Sequence, residues 1–331
     1  MCKYLLLFLF IAFEIVGNLF TIKPPSPAEE TPSFYLELQS KIHELSIEKE
    51  LLKLYSENAE YFPFERFYKR CSIGIHQNLL DSKKNFQPLS IVKIGKGSDR
   101  CIVSMASYNK EYPKYIQRIQ IGLEQSGFNG YFVYRIGGYP HPSGKEFAYA
   151  AVPYAFKIFL MLEAHKLGFS KIVWIDSVLE PLKDPTPLFE FLEKKKIFIY
   201  FSPKSPDGWK CILPSTRKEL EEITGVDVLA VPHVCAAIFG LDMSTAASSQ
   251  FIEDYYQMVE RGRVFLSYYP EEFVYAALCA KHFPLQWELP FMHLVKNEPK
   301  PFSLSPNIFD DSEENIKKAK KDGFFFYRYS H

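Results

Sequence analysis

The chain has 331 residues, enough for one large hydrophobic core or two ordinary ones. Its 39 basic and 39 acidic side chains cancel, so the charge balance indicates neither a nucleic-acid partner nor electrostatic attachment to a membrane. The 30 phenylalanines and 21 tyrosines argue against a disordered chain and favour a large folded core.

The N-terminal residues 1–22 have the pattern of a targeting segment. Lys3 precedes an apolar run to Phe13, about as long as a signal-peptide core and shorter than the roughly 20 apolar residues that span a bilayer. If Glu14 is tolerated, the segment up to Ile22 is nearly long enough for an uncleaved anchor. A buried N-terminal helix is the alternative. We predict export, either type II anchored in a Golgi-like lumen of the secretory pathway or exported to a periplasm.

Two further segments precede the main part of the chain. Residues 23–33 are rich in proline, which is typical of an extended linker. Residues 34–89 carry leucine and isoleucine at helical spacing among Glu and Lys, which predicts a helical stem or N-terminal extension. Residues 90–331 are assigned to a single domain.

The six cysteines show no paired Cys-x-x-Cys spacing, which argues against a zinc site. In an oxidising compartment the five that follow the leader allow up to two disulfides with one thiol left over. Cys101, Cys235 and Cys279 lie in predicted strands or helices, and we expect them to be buried thiols.

From Arg100 onward, apolar strands alternate with amphipathic helices at the repeat length of a parallel sheet with right-handed crossovers. The pattern predicts an α/β fold with a mixed, mostly parallel sheet flanked by helices. Strands are predicted within residues 100–109, 130–138, 172–175, 196–201, 231–243 and 324–329. Helices are predicted within residues 112–126, 156–167, 187–195, 216–224, 251–259, 268–282 and 310–321.

The strand at residues 172–175 is the most informative. It is an uninterrupted apolar run, as expected of a strand that is buried on both faces. Asp176 stands at its carboxyl end, with Ser177 beside it and Glu180 four residues on. Ligands of open α/β sheets bind in the crevice beyond the carboxyl ends of the strands. Asp176 is therefore a candidate site residue.

A family resemblance appears in the same region. Lys157, the strand end Trp174-Ile175-Asp176 and the turn Pro-Leu-Lys-Asp-Pro-Thr-Pro-Leu-Phe at residues 181–189 resemble the central segment of GT-A-fold glycosyltransferases. The resemblance covers about residues 100–290. It implies a GT-A-like catalytic domain over residues 90–331 that uses a nucleotide-diphospho-sugar as donor. In that family a strand ends in Asp-x-Asp, which holds a divalent metal against the donor's diphosphate.

The resemblance implies a Mn²⁺ or Mg²⁺ ion at Asp176, helped by Glu180. The chain departs from the family here, because Asp176-Ser177-Val178 lacks the second carboxylate at its usual spacing. Lys157 lies one turn into the preceding helix, where the resemblance places a basic residue near the donor, and a lysine suits a pyrophosphate. A solvated helix charge is the alternative for Lys157.

The nucleotide is assigned by the same resemblance to the exit of the first predicted strand. Ser104 and Ala106 would line the uridine or guanosine, and Tyr108 would stack on the base. The alternative is an ordinary helix-entry loop with Asn109 as its N-cap. Trp209, in a long polar loop, would provide a platform for stacking a sugar, and an edge-packed structural tryptophan is the alternative.

The acceptor side is assigned to two acids. A strand of small residues that ends in Phe-Gly-Leu-Asp242 resembles the acceptor-side strand of GT-A enzymes, although Asp242 is also placed to cap the next helix. Glu271 and Glu272 lie in the first turn of a later helix, where carboxylates complement the helix dipole. By the resemblance one of them faces the two sugars, and we favour Glu272 over Glu271.

These residues predict a glycosyltransferase that moves a sugar from a nucleotide-diphospho-sugar to a glycan, protein or lipid acceptor. The N-terminal segment, if uncleaved, would add a membrane as a partner. The alternative is a catalytically inactive GT-A relative that acts as a secreted or surface carbohydrate-binding or adaptor protein. The incomplete Asp-x-Asp and the pair Ala236-Ala237, where the family has glycine, favour that alternative. Hydrolysis of a nucleotide sugar is a third option.

Overall fold

A computed structural model describes the part of the chain that carries most of the predicted sheet. The residues described are 89–106, 112–137, 154–201, 212, 214–231, 234–265, 267, 270–283 and 312–329. The leader, the linker and nearly all of the predicted stem lie outside these residues, as do Tyr108 and Trp209, and the interpretations placed on them stay predictions. Within the described residues, no helix is both long enough and apolar enough to cross a membrane.

The helices and strands follow the predicted alternation closely. In chain order they are β1 (Ser90–Ile94), β2 (Arg100–Ala106), α1 (Tyr112–Ser126), β3 (Gly130–Ile136), α2 (Phe156–Lys166), β4 (Lys171–Ile175), β5 (Leu179–Pro181), α3 (Thr186–Lys195), β6 (Ile197–Phe201), α4 (Pro214–Thr224), β7 (Val234–Asp242), α5 (Ala246–Arg261), a 3₁₀ turn (Arg263–Phe265), α6 (Pro270–His282), α7 (Glu313–Lys321) and β8 (Phe326–Arg328).

The main sheet has the strand order β1-β3-β2-β4-β7-β6. Strands β3, β2 and β4 are mutually parallel. Strand β7 is antiparallel to β4, and β6 is antiparallel to β7, so β6 runs in the same direction as β4. Strand β1 is antiparallel to β3 at the edge. The predicted fold class, a mixed and mostly parallel sheet flanked by helices, is confirmed.

Two strands were not predicted, for a physical reason in each case. Strand β1 lies at the sheet edge and alternates between exposed and partly or fully buried positions, with Ile91 on the exposed side, so its apolar pattern is short and broken. Strand β5 has only three residues, which is below the length at which a period-two pattern can be recognised. The predicted buried thiols of Cys101 and Cys279 are confirmed.

Strand β7 contains a register shift that matters for the site. Its Phe239 pairs with Ile199 of β6, but the next pair on β6, Tyr200, lies opposite Cys235. Residues 236–238 are therefore not matched one to one on the β6 side, as in a β-bulge, which leaves backbone groups available for other partners. On the other side of β7, Asp176 donates its N–H to the carbonyl of Ala237 over 2.9 Å.

The segment after Asp176 is held by the C-terminal strand. Strands β5 and β8 form a two-stranded antiparallel sheet, and the N–H of Tyr329 donates to the carbonyl of Val178 over 2.9 Å. Helix α1 closes on the same segment at Gly122, where an added Cβ would lie 2.6 Å from the carbonyl oxygen of Pro181. Glycine is required at this position because the backbone of β5 approaches so closely.

Candidate active site

The candidate site lies at the carboxyl edge of the parallel strands. Asp176 directly follows β4, at the point where this parallel strand borders the antiparallel strand β7. Strands β2, β3 and β6 end at the same edge, before the connections at residues 107–111, 138–153 and 202–211. Connections at the opposite edge, such as that between α2 and β4, are short turns. The edge that carries Asp176 is therefore the carboxyl edge of the parallel strands, at which ligands of α/β sheets bind.

Lys157 is the centre of the site. Its side chain is only 4% exposed, and its Nζ lies 3.0 Å from Oδ1 of Asp176 and 2.9 Å from Oε1 of Glu271. It also donates a hydrogen bond of 3.0 Å to the carbonyl of Ala236 in the bulged part of β7. An ammonium group has three N–H donors, so all three are engaged. We call Lys157, Asp176, Glu271 and Ala236 the Lys157 cluster.

Asp176 is the member of the cluster that faces outward. Its side chain is 26% exposed, whereas that of Glu271 is 8% exposed. Its Oδ1 also accepts a hydrogen bond of 2.9 Å from Nε1 of Trp174. Residues two apart on a strand share a face, which brings the indole of Trp174 beside the carboxylate. Lys157 and Trp174 together fix the orientation of Asp176.

The pKa values of the two carboxyl groups of the cluster are shifted in opposite directions. Burial raises the pKa of Asp176, but Lys157, the hydrogen bond from Trp174 and the charge of Arg328 together hold it below its usual value. Burial raises the pKa of Glu271, and Lys157 lowers it by less than burial and neighbouring Glu272 raise it. Opposed shifts of this kind make the two acids titrate over separate pH ranges. As the pH falls, Glu271 therefore takes a proton before Asp176 does.

Burial lowers the pKa of Lys157, but the charges of Asp176 and Glu271 and their hydrogen bonds raise it above its ordinary value. Lys157 is consequently charged at every physiological pH. The alternative of a solvated helix charge is wrong for this residue, because its side chain is buried and fully bonded. Its three donors all bind protein oxygens, so Lys157 holds the site together and has no donor left for a pyrophosphate.

Glu271 and Glu272 both contact members of the Lys157 cluster from the first turn of α6. Oε1 of Glu272 accepts from the N–H of Ala236 at 3.4 Å, while Glu271 bonds Lys157. The sequence favoured Glu272 over Glu271, yet Glu271 is the acid that the fold joins to Asp176 through Lys157. No pattern in the sequence separates these neighbours, because both lie in the same helical turn and only the packing of α6 decides which one faces Lys157.

Asp242 is not part of this site. It pairs with Lys171 at the amino end of β4, while Asp176 follows the carboxyl end, so the two acids are about 16 Å apart along the sheet at roughly 3.3 Å per residue. Its carboxylate binds Lys196 at 3.0 Å and accepts from the N–H of Ser244. The predicted acceptor role beside Glu272 therefore requires a correction. Asp242 organises the start of α5, much as the helix-capping alternative predicted, although the N-cap itself is Thr245.

The predicted metal ligands Asp176 and Glu180 are not brought together. Glu180 lies in β5, and its carboxylate accepts a hydrogen bond from the hydroxyl of Tyr329. Val178, at the usual place of the second Asp-x-Asp carboxylate, is apolar and 2% exposed. Among the described residues no group of three or more His, Cys, Asp or Glu side chains is placed to hold a metal. The described residues around Asp176 therefore do not fit a bound Mn²⁺ or Mg²⁺ ion.

Ser104 and Ala106 lie in β2, beside β4 and at the same edge as Asp176. Both are buried, and the hydroxyl of Ser104 has no hydrogen-bond partner within the described part of the chain. Residues two apart on a strand share a face, so the pair presents one surface of β2. Their predicted contact with a nucleotide stays a prediction.

Arg328 is a site residue that sequence reasoning missed. The aromatic segment around it was interpreted as structural, and its place became visible only when β8 paired with β5, where Arg328 lies opposite Leu179. Its charge helps to lower the pKa of the Asp176 carboxyl. Burial raises the pKa of Tyr112, and the charge of Arg328 partly opposes that rise. Within the described residues, its buried Nε has no hydrogen-bond partner.

No protein-family model matches the chain, and no curated protein matches it. Among solved structures, the chain is similar to mouse xyloside xylosyltransferase 1, with a TM-score of 0.39 and 10% identity over 69% of this chain and 97% of that one. It is similar to the bifunctional glycosyltransferase WbbM, with a TM-score of 0.42 and 11% identity over 76% of this chain and 47% of that one. An active-site mutant of LgtC has a TM-score of 0.35 and 11% identity over 70% of this chain and 88% of that one.

The chain thus spans about half the length of the WbbM structure and most of the other two. All three proteins are sugar transferases by name, the class that the sequence resemblance indicated. The likenesses are remote, and a function for this chain depends on its own residues, the Lys157 cluster above all.

Proposed function

We propose that this chain transfers a sugar from a nucleotide-diphospho-sugar to an acceptor hydroxyl. The observation that carries the proposal is the Lys157 cluster. It presents one partly exposed, ionised carboxylate, Asp176, fixed by a buried lysine and a tryptophan at the ligand-binding edge of the sheet. A fixed carboxylate accepts hydrogen bonds from sugar hydroxyls, and such positioning of a reactant is a main source of catalysis. The sequence resemblance supplies the donor class.

The proposed reaction divides into three tasks. The bond between the anomeric carbon and the diphosphate oxygen breaks, a bond to the acceptor oxygen forms, and the acceptor loses its proton. Asp176 orients the donor sugar, and Glu272 in the first turn of α6 takes the acceptor's proton. Negative charge collects on the departing diphosphate, where electrostatic stabilisation is usually the largest catalytic contribution. Arg328 supplies that stabilisation, because the donors of Lys157 are already used.

The direct test is ligand binding by the full chain, followed by turnover. Thermal unfolding is measured with UDP-, GDP- and CMP-sugars, with the free nucleotides as controls. A sugar nucleotide at 100 times its dissociation constant should stabilise the fold by about 2.7 kcal/mol. Release of the nucleotide is then measured with glycan, protein and lipid acceptors. Stabilisation by one nucleotide and acceptor-dependent release are expected. The absence of any shift would overturn the proposal, and binding without turnover would favour the inactive carbohydrate-binding alternative.

Arg328→Met should weaken binding of the nucleotide-sugar by roughly 10- to 100-fold, because a hydrogen bond to a charged group contributes about 1.5–3 kcal/mol. A guanidinium matches the geometry of a phosphate, and Met keeps most of its apolar length. Titration calorimetry measures the change. The control is Lys183→Met, which removes another cation that lies against the C-terminal segment, over the ring of Phe325. Equal affinity of both variants and the wild type would remove Arg328 from the site.

A further inference from the structure

The Lys157 cluster resembles a cation-binding site in which protein oxygens surround the ammonium group of Lys157 instead of a bound ion. We propose that, in the sugar transfer proposed above, the Lys157 ammonium fills the place of a divalent metal, so that donor binding needs no metal ion. The inference rests on that proposed function for its biological meaning. The claim that Lys157 occupies a cation position concerns only the described residues, and it is tested by Mn²⁺ binding without any sugar nucleotide.

The first step is the coordination of the ammonium. Two carboxylate oxygens and one carbonyl oxygen surround the Nζ of Lys157 at 2.9 to 3.0 Å. Burying two carboxylates beside each other is unfavourable without a positive charge between them. The Lys157 charge meets that need and fixes Asp176, so the two carboxylates require no metal ion to balance their charge.

The second step is that the same oxygens are not available to another cation. Mg²⁺ needs near-octahedral oxygen ligands at about 2.0–2.1 Å. Oδ1 of Asp176 already accepts from both Lys157 and Trp174. Oε1 of Glu271 accepts from Lys157. A divalent ion at Asp176 would also lie beside the Lys157 ammonium and be repelled by it.

The third step is the absence of replacement ligands in the neighbouring segment. Val178 is buried and apolar, and Ser177 is nearly buried. Glu180 is bonded to Tyr329 across the β5–β8 sheet. Residues 176–180 therefore lack the second acidic ligand of the Asp-x-Asp pattern, and Lys157 provides a cation beside the first.

The first test uses Mn²⁺ alone. Electron paramagnetic resonance measures Mn²⁺ binding by the full-length wild type and by Asp176→Asn, with Glu271→Gln as a second variant if the first does not fold. Equal binding is expected, since no bound ion depends on either acid. A Mn²⁺ ion that the wild type holds and the folded acid variant loses would overturn the inference.

The second test removes the internal cation. Lys157→Met leaves the oxygens of Asp176, Glu271 and Ala236 facing a position without a positive charge. This variant should gain a bound Mn²⁺ and a Mn²⁺-dependent rise in Tm, and the double variant Lys157→Met/Asp176→Asn should lose both. A folded Lys157→Met protein that gains no Mn²⁺ would overturn the inference. If the variant does not fold, the wild-type comparison above decides alone.

Binding of UDP- and GDP-sugars with EDTA or with Mn²⁺ separates this inference from the proposed function. Equal affinity in the two solutions supports both. Binding that requires Mn²⁺ leaves the proposed function in place and overturns the inference. If no sugar nucleotide binds in either solution, the proposed function fails, and the Mn²⁺ titrations still decide whether Lys157 occupies a cation position.

Discussion

Lys157→Met should lower the free energy of unfolding by about 3–5 kcal/mol, the cost of leaving buried charges without their partner. The side chain is 4% exposed, and it separates Asp176 from Glu271, whose side chain is 8% exposed. Methionine keeps the apolar length of lysine, so the loss reports the charge and its hydrogen bonds rather than a cavity. Chemical denaturation at neutral pH measures the change.

The chain offers a matched control in Lys171, which also binds two carboxylates, those of Asp99 and Glu193. Both of these partners are 59% exposed. Exposed ion pairs contribute about 0–1 kcal/mol, so Lys171→Met should cost no more than that. Equal losses of unfolding free energy in the two variants would show that burial does not determine how much the Lys157 ion pairs contribute to stability.

The double variant Lys157→Met/Glu271→Gln isolates the cause of the expected loss. Removing the Glu271 charge relieves the repulsion between the two carboxylates, so part of the stability lost in Lys157→Met should return. Residues that share an ion-pair network show coupling of about 0.5–3 kcal/mol. Strictly additive effects of the two substitutions would contradict a shared network.

Asp176→Asn should lower kcat/KM of the proposed transfer by roughly 10- to 100-fold, since a charge-assisted hydrogen bond contributes about 1.5–3 kcal/mol. Asp176 is the ionised and outward-facing acid of the cluster. Asparagine preserves its shape and one oxygen acceptor, so the fold should be retained. Initial rates with the nucleotide-sugar identified by the binding screen measure the effect.

Asp254→Asn is the control for this measurement. Asp254 is also an ion-paired acid of lowered pKa, held by Lys281 and His282. It contacts the carboxyl-terminal end of α6, whereas Glu271 lies in the first turn of that helix. Asp254→Asn should therefore reduce stability modestly and leave the transfer rate unchanged. An unchanged rate in Asp176→Asn would remove Asp176 from the proposed site.

Much of the fold followed from local patterns. The helix predicted at residues 112–126 is observed with those bounds, and strand β4 is buried as its uninterrupted apolar run required. The spacing of apolar residues reflects which face of a helix or strand is buried, so it can be recognised from neighbouring residues in the sequence. Asp176 could be named for the same reason, because an acid after a buried parallel strand stands at the ligand-binding edge in any fold of this class.

The partners of Asp176 were decided by tertiary structure. Lys157 and Glu271 are 114 residues apart, and they meet only because α2 packs against β2 and β4 while α6 packs against β7. Strand direction was equally decisive, because β7 runs antiparallel to β4 and so carries Asp242 to the far edge of the sheet. Arg328 enters the site only because β8 returns to pair with β5.

The sequence by itself therefore determined the elements, the class of fold and the first acid of the candidate site. The tertiary structure decided which charges meet, which acid faces outward and why the described residues around Asp176 do not fit a metal. The physical reason is that hydrophobic periodicity is a property of neighbouring residues, whereas an ion-pair network depends on strand direction and helix packing across the whole chain.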